Sequence, residues 1–370
     1  MTKPERVLIV GAGPVGLAAA VEFRRRGFHP RIIDAGEGPT DVAQSRALGI
    51  LPTTLDILSA SGIADRLLAE GGHIENAEIS LDGRRLFAIS IRPARTRHNF
   101  ILTLPQGRTE RLMIEWLAAH DVAVEWNTAF VSLADTHAPQ VRLSNGETVA
   151  ADLVLGADGV HSAVREDVGI PWSGEGYPAE FALADVVFER PVEASTARAN
   201  LRTAKGGPGG AVALLPLSET TGRYVGIAPS TDALLAGVEG IAAIIWESRF
   251  SVSFRHAERM AKGRVFLAGD AAHVHSPVGG RGMNLGIWDA AWLAFLASEG
   301  RQSEYEMRRL PSVRRVLKDT RQMTDVIAAP PQRLLSALRY AMPLAMQLPW
   351  VPRTIAERLL ALDLPQPEWL

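Results

Sequence analysis

The first 34 residues restrict the possible folds more than any other part of the chain. Val7 to Val10 is a short apolar run, and Gly11, Gly13 and Gly16 punctuate the turn that follows it. The next ten residues place alanine, valine and phenylalanine on one helical face, and Arg31 to Asp34 is a second apolar run that ends in a carboxylate. This order is a βαβ unit. It predicts a doubly wound α/β domain built on a parallel sheet.

The glycine spacing matches that of dinucleotide-binding turns. In a Gly-x-Gly-x-x-Gly sequence between a strand and a helix, the first glycine makes the tight turn and the second lets a pyrophosphate approach the backbone. The third glycine packs the helix on the strand. A carboxylate about 20 residues further on accepts hydrogen bonds from ribose hydroxyls. The residues predicted to bind the dinucleotide are Gly11, Gly13, Pro14, Gly16 and Asp34.

A second glycine-rich segment lies at residues 263–292. Its apolar strand, Val265 to Ala268, ends in a Gly-Asp pair, and a proline-containing loop then leads into a helix that begins near residue 282. Glycines allow a backbone to approach a flat ligand closely, and the first turn of a helix has N–H groups that attract an anionic group. The residues predicted to face this ligand are Gly269, Asp270, Pro277, Gly282, Met283 and Asn284.

These segments resemble a known family. The glycine turn, the segment 263–292 and the pair Asp158-Gly159, which follows the apolar run 151–155, resemble the FAD-dependent aromatic hydroxylases. These are single-component flavoprotein monooxygenases of the para-hydroxybenzoate hydroxylase type. The resemblance implies non-covalently bound FAD, with NADPH or NADH and O2 as co-substrates. It also implies hydroxylation of a phenolic or polyketide-like aromatic molecule through a C4a-hydroperoxyflavin.

The resemblance assigns roles to single residues. Asp270 matches the aspartate that hydrogen-bonds the ribityl chain, and Asp158 and Gly159 match a motif near the pyrophosphate that is implicated in NAD(P)H use. Pro277 and Arg281 fall in the environment of the flavin ring. An arginine there would favour the anionic reduced flavin by roughly 1–3 kcal/mol. The residues matched to the phosphate and ribityl region are Arg46, Gln106 and Arg111.

Structural roles remain alternatives for four of these residues. Arg46 could cap or solvate a helix start, and Arg111 could lie on a helix surface. Asp158 could belong to a purely structural turn. Arg281 could point to solvent or pair with a surface carboxylate, in which case it would contribute little to the flavin.

The pattern along the chain predicts an α/β fold with an inserted sheet. A three-layer, Rossmann-like FAD-binding domain is expected to be discontinuous, and short β-like runs punctuated by proline and glycine are expected to form an antiparallel substrate-binding sheet. Asp82-Gly83 and Asn145-Gly146 are hairpin signals. The predicted boundaries are 1–75, 105–170 and 260–330 for the FAD-binding domain, 76–104 and 171–259 for the substrate domain, and 331–370 for a C-terminal helical segment.

Composition limits the partners. The 39 basic and 41 acidic residues nearly balance, so no charged field favours nucleic acid, and a small aromatic substrate is expected. Cysteine is absent, which excludes disulfides and cysteinyl-flavin attachment. We expect no metal site, because His273 and His275 lack further ligands at suitable spacing. The uncharged stretch 340–352 contains three prolines and is shorter than the ~20 residues of a spanning helix.

These features predict a cytoplasmic monomer or homodimer without stable membrane insertion, and leave open a peripheral membrane contact through residues 333–362. Three other functions are alternatives for a chain with these motifs. A flavoprotein reductase of the geranylgeranyl reductase kind would share the FAD fold without the oxygen chemistry. A non-catalytic flavin-binding protein is disfavoured by the intact glycine loops, and a halogenase by the missing Trp-x-Trp-x-Ile-Pro sequence. No general base can be assigned, because it would come from the substrate sheet.

Overall fold

The structure is a computed structural model that describes residues 4–42, 47–202 and 210–370. Its strands, in chain order, are β1 Val7–Val10, β2 Arg31–Ile33, β3 Gly49–Ile50, β4 Gly72–Ile74, β5 Asn76–Leu81, β6 Arg84–Ser90, β7 Ile101–Thr103, β8 Val124–Glu125, β9 Phe130–Leu133, β10 Gln140–Leu143, β11 Thr148–Ala150, β12 Leu153–Gly156, β13 Trp172–Phe188, β14 Thr196–Arg202, β15 Gly210–Pro216, β16 Thr221–Ile227, β17 Ile241–Ala257, β18 Ala261–Lys262, β19 Val265–Leu267 and β20 His273–Val274. Its α-helices are α1 Pro14–Arg25, α2 Pro52–Ser59, α3 Ile63–Glu70, α4 Gln106–Ala118, α5 Ala163–Asp167, α6 Thr231–Leu235, α7 Gly282–Ser298, α8 Tyr305–Ala328, α9 Gln332–Ser336, α10 Met342–Ala345 and α11 Trp350–Leu359.

A six-stranded sheet carries the N-terminal βαβ unit. Its strand order is β18-β19-β12-β1-β2-β8, and all neighbours are parallel except β18 and β19. The strands β1, β12 and β19 are buried along their whole length, as strands covered on both faces should be. Helix α1 packs against α7, and Val15 of α1 lies against Gly286 of α7. The predicted parallel sheet is confirmed.

A second, eight-stranded sheet has the order β20-β17-β13-β16-β15-β14-β5-β6. Its neighbours are antiparallel apart from β14 and β5. Alternate residues of β13 face opposite sides. Ala182, Ala184 and Val186 pack toward α6 on one side, which we call the outer face. Phe181 lies on the other side in a cluster that includes Val278 of the 277–284 loop, and we call this side the inner face.

Two smaller sheets complete the α/β fold. Strands β9 to β11 form an antiparallel sheet whose Phe130 and Val141 belong to the main core, and β3, β7 and β4 form another. Both hairpin signals are confirmed. Asp82 and Gly83 have φ values of 48° and 77°, and Gly146 has a φ of 88°, as such turns require.

Several details differ from the sequence-based expectations. The helical pattern at 53–68 is two helices, α2 and α3, because Gly62 adopts a φ of +76° between them. The substrate sheet has longer strands than expected, since β13 and β17 each contain 17 residues. The segment 76–104 does not stay in one sheet, because β7 pairs with β3 and β4.

The C-terminal segment is helical, as predicted. Ala356 and Leu360 at the end of α11 pack against Ile74 and Ile91, in a cluster that also includes Leu215 of the inner face. No helix among the described residues has the length and hydropathy needed to cross a membrane. The division into domains stays a prediction.

Candidate functional site

Several of the predicted ligand residues follow strands that end side by side in the parallel sheet. Val10 pairs with Gly156 and Gly156 with Leu267, so β1, β12 and β19 end side by side. The residues that follow these strands are therefore neighbours. In open parallel sheets the carboxyl ends of the strands are where ligands bind.

Gly11 and Gly16 are required by the packing of the turn itself. A Cβ atom on Gly11, which has a φ of +102°, would lie 2.4 Å from the Ala157 carbonyl oxygen. A Cβ atom on Gly16 would lie 1.8 Å from the Gly11 carbonyl oxygen. Neither position can take a side chain without moving the backbone.

Gly13 differs from these two glycines. Its φ of −72° is open to any residue, and a Cβ atom there would meet no atom of the described chain within 4 Å. Gly13 is also the N-cap of α1 and has no side-chain cap, so N–H groups of the first turn face this open space. The turn thus presents helix N–H groups and the positive end of the helix dipole to a space that an anionic group could fill.

Asp34 lies beside the same turn. One carboxylate oxygen accepts a hydrogen bond from the Ala12 N–H at 2.6 Å, and the other accepts one from the Gly36 N–H at 2.7 Å. These bonds fix a half-buried carboxylate at the end of β2. The contact of Asp34 to a ribose stays a prediction.

Asp158 acts within the chain as a helix cap. Its carboxylate accepts hydrogen bonds from the Ser162 hydroxyl at 2.6 Å and from the Val164 N–H at 3.1 Å, at the start of α5. Burial raises the pKa of Asp158 despite these bonds. Gly159 follows with a φ of +80°. These contacts match the structural alternative, and the ligand role stays a prediction.

Sequence reasoning missed Arg165, which joins two of the strand ends. Its buried guanidinium donates to the carbonyl oxygens of Val160 and Ala271, each at 3.1 Å. It also lies 4.1 Å from the ring centre of Trp172. Arg165 therefore holds the Asp158-Gly159 turn against the turn that contains Asp270.

The turn after β19 places Gly269 and Asp270 at the site. Gly269 has a φ of +60°, and a Cβ atom there would lie 2.8 Å from Val15 of α1. The side chain of Asp270 is exposed at the sheet edge. An exposed carboxylate at this place can accept hydrogen bonds from ligand hydroxyl groups.

A buried ionic network, also missed, supports this turn. Asp289 of α7 accepts hydrogen bonds from Arg309 Nε at 2.7 Å and from the Gly269 N–H at 3.3 Å, and it lies 2.6 Å from His273 Nε2. The three charged or titratable side chains are at most 1% exposed. Burial alone would raise the pKa of Asp289, but Arg309 and His273 outweigh that effect and lower it.

The loop 277–284 contains two glycines with positive φ, Gly279 and Gly280, and leads into α7 at Gly282, as predicted. Pro277 is exposed, and Met283 is half-buried. The side chain of Asn284 is used inside the protein. It accepts from the Leu51 N–H and from Thr54 Oγ1 at 2.8 Å each, and donates to the carbonyl oxygens of Gly49 and Gly280.

Two side chains near this loop have restricted chemistry. His275 donates from Nδ1 to the Ser276 carbonyl oxygen at 2.8 Å, and burial lowers its pKa to about 4, so the ring is neutral at pH 7. Arg281 is 7% exposed and donates to the Arg358 carbonyl oxygen at 2.6 Å. Its guanidinium also lies 3.6 Å from Asp363. Arg281 thus connects the loop to the C-terminal segment.

Helix α4 begins on the same side of the domain. Gln106 Nε2 donates to Glu110 at 2.8 Å, and the buried Glu110 carboxylate also accepts from the backbone and the hydroxyl of Thr40. Arg111 is half-buried on this helix. Arg46 lies outside the described residues.

These features are those of a Rossmann-type dinucleotide site, since a helix start faces open space and carboxylates follow three strands of the parallel sheet, namely β2, β12 and β19. The family is given by comparison with known proteins. The model of a family described as the FAD binding domain matches residues 5–234 and 227–320, so the chain belongs to that FAD-binding family.

Relatives and solved structures agree with this membership. The chain is 34% identical to the 6-methylpretetramide 4-monooxygenase of Streptomyces rimosus, over 87% of this chain and 62% of that protein. It is 33% identical to a rifampicin monooxygenase of Rhodococcus hoagii, over 97% of this chain and 78% of the relative. The crystal structure of p-nitrophenol 4-monooxygenase from Pseudomonas putida has a TM-score of 0.84 at 22% identity, covers 97% of this chain and 99% of that one, and shows the shared fold.

The expected family of FAD-dependent aromatic monooxygenases, its fold and its FAD cofactor are therefore confirmed. The chain spans less than two thirds of the length of the 6-methylpretetramide 4-monooxygenase, so that protein's reaction and substrate do not transfer directly to this chain.

Proposed function

We propose that the chain is an FAD-dependent monooxygenase that hydroxylates a phenolic or polyketide-like aromatic molecule with NAD(P)H and O2. The observation that carries this proposal is the open space in front of Gly13, at the carboxyl end of β1. The loop 277–284 also contacts the inner face of the second sheet through Val278. A site for the flavin and a surface for a second, organic molecule thus adjoin each other. We also propose that the protein acts in the cytoplasm as a monomer or homodimer.

The fit of FAD rests on the glycine turn. The first turn of α1 would hold the pyrophosphate, Asp34 the adenosine ribose and Asp270 the ribityl chain, while the loop 277–284 would lie along the ring. Bound FAD supplies hydride acceptance from NAD(P)H and the activation of oxygen. Every other part of the reaction depends on side chains that orient the substrate and keep water out.

Those side chains lie on the inner face between two closed ends. At one end Phe181, Phe250 and Val278 bring the sheet and the flavin loop into contact. At the other end Leu215 packs in the cluster that contains Leu360 of the C-terminal segment. Between them, Ala213, Val225 and Trp246 are only half-buried. This apolar, partly open strip is suited to an aromatic ring system.

The function is tested by following oxygen into a product. Purified holoprotein would be incubated with NADPH or NADH, 18O2 and a panel of phenols, quinolones and polycyclic aromatics, including 6-methylpretetramide and rifampicin. We expect stimulated NAD(P)H oxidation and a product heavier by one 18O atom. Reduction of a substrate without 18O would instead indicate a reductase, and FAD binding without turnover of any panel member would contradict an enzymatic role.

Arg281 gives a second prediction. Its charge lies in the loop that leads to the start of α7, so Arg281→Met should lower the flavin midpoint potential, and Arg281→Lys should retain most of the wild-type value. Asp363, 3.6 Å away, offsets part of the charge, so the shift should be smaller than for an isolated arginine. Spectroelectrochemical titration measures it. An unchanged potential in the Met variant with FAD fully bound would leave Arg281 only as the anchor of the C-terminal segment.

A further inference from the structure

The inner face contains one strongly polar feature in an otherwise apolar strip. Asp185 of β13 and Arg223 of β16 are directly opposite each other across two antiparallel strands. Arg223 Nε and Nη2 donate to the two carboxylate oxygens of Asp185, both at 2.6 Å. Four residues beside the pair are aliphatic, namely Leu183, Val225, Ala213 and Leu215, and the aromatic Trp246 is opposite Asp185 on β17.

Strand register places this pair on the face that looks toward the flavin loop. Asp185 is four residues from Phe181 on β13, so both side chains lie on the same side. Leu215 pairs with Arg223 on the next strand and contacts the cluster at the other end of the strip. The ion pair therefore lies between the two closed ends, in the wall of the space proposed for the substrate.

The two members of the pair are not equally accessible. The side chain of Arg223 is 3% exposed and lies 5.3 Å from the ring centre of Trp246, whereas that of Asp185 is 13% exposed. A buried ion pair is generally no more stabilising than apolar residues of similar volume. Its presence in a substrate-facing wall is better explained by recognition than by stability.

We propose that Asp185 binds a hydroxyl group of the substrate and that Arg223 is the positioning residue that holds this carboxylate in a fixed orientation. The inference rests on the proposed function. A carboxylate only accepts hydrogen bonds, so the matching group must be a donor. The substrate class is thus an uncharged hydroxylated aromatic, and aromatic carboxylates are rejected because two anions would face each other in a partly dry site.

Binding to the holoprotein tests this inference without any turnover. The probes are 2-naphthol, which has a donor, 2-methoxynaphthalene, which lacks it, and 2-naphthoate, which is anionic, and calorimetry or the flavin absorbance change reports their Kd. We expect wild type to bind 2-naphthol at least about 10-fold more tightly than either analogue. Asp185→Asn should raise the Kd of 2-naphthol about 10- to 100-fold, the range for a hydrogen bond to a charged group, and improve binding of 2-naphthoate.

Folding is controlled separately. Because Asp185→Asn removes the carboxylate that pairs with the buried Arg223, the double variant Asp185→Asn with Arg223→Gln removes both charges and keeps a cross-strand amide pair. It should show the same loss for 2-naphthol, with wild-type FAD content. Asp232→Asn, which removes an exposed carboxylate from α6 on the outer face, should change neither.

The inference is overturned if wild type does not bind 2-naphthol or does not prefer it over the ether. It is also overturned if the folded double variant binds 2-naphthol as wild type does. Binding is measured without NAD(P)H and therefore does not depend on turnover. A failure of 18O incorporation would contradict the proposed reaction, whereas the proposed role of Asp185 is decided by these Kd values alone.

Discussion

Gly13→Val is expected to give a folded protein that purifies without its yellow flavin. A Cβ atom at this position would meet no atom of the described residues within 4 Å, and the backbone φ of −72° suits a valine. It would instead fill the space in front of the α1 N-terminus, where we place the pyrophosphate. Overpacking of this kind costs at least ~1–3 kcal/mol, a loss of roughly 5- to 150-fold in affinity.

The measurement is FAD content per chain, from the absorbance ratio of flavin to protein, together with circular dichroism and the melting temperature. Gly176→Val is the matched control, because Gly176 also has open space around it but lies in β13 of the second sheet. The control should bind FAD fully. A Gly13→Val protein with full FAD content would show that the pyrophosphate lies elsewhere.

A contrasting result is expected at Gly16. Even the Cβ atom of Gly16→Ala would lie 1.8 Å from the Gly11 carbonyl oxygen, so the turn itself must move. We expect a loss of soluble folded protein at Gly16 and a loss of flavin alone at Gly13. The spacing rule already separates Gly13, where a pyrophosphate approaches, from Gly11 and Gly16, which shape the turn, and these two variants test that separation.

The parts predicted well from sequence are those in which the relevant partners are close along the chain. The turn at Gly11 to Gly16 and the loop before α7 show spacing that is dictated by local backbone geometry. By contrast, Asn284 is bonded to residues more than 230 positions away, at Leu51 and Thr54. No spacing rule connects them, so the sequence does not indicate that this side chain is part of the interior. The contact of the Asn284 backbone with the flavin stays a prediction.

The sheet shows a second limit. Strand β14 reads Thr-Ala-Arg-Ala-Asn-Leu-Arg, whose polar residues do not signal a strand, yet it is paired on both sides. In β13, Gly174 has a φ of +119° and the register shifts between Gly176 and Glu180, but the strand continues. In a sequence, such glycines indicate a turn. Here the strand continues because it is paired with the neighbouring β17 on both sides of the glycines, and that pairing is known only from the fold.

Arg309→Met is expected to lower the stability of the folded protein strongly. Among the described residues, the fully buried Asp289 carboxylate would keep His273 and the Gly269 N–H as its hydrogen-bond partners. Removing one partner of a buried ion pair typically costs about 3–5 kcal/mol. We expect a clear drop in the melting temperature of the FAD-free protein, and weaker FAD binding as well, because Asp289 also holds the turn that presents Asp270.

Arg308→Met is the matched control. This neighbouring arginine is 33% exposed and pairs with Glu304 and Glu368 on the surface, where an ion pair contributes at most about 1 kcal/mol. The double variant Arg309→Met with Asp289→Asn removes both charges and should recover part of the lost stability. If Arg309→Met and Arg308→Met melted at the same temperature, the network around Asp289 would not be a source of stability.

The pH dependence separates a lost charge interaction from a simple packing defect. The folded-state pKa of Asp289 is lowered, so its contribution is fully present above the ordinary carboxyl pKa of about 4 and is lost as the pH falls below that value. Arg309→Met removes the cation that lowers this pKa. The difference in melting temperature between wild type and Arg309→Met should therefore be largest above pH 5 and shrink toward pH 3, whereas a defect caused only by the missing side-chain volume would be the same at every pH at which both proteins fold.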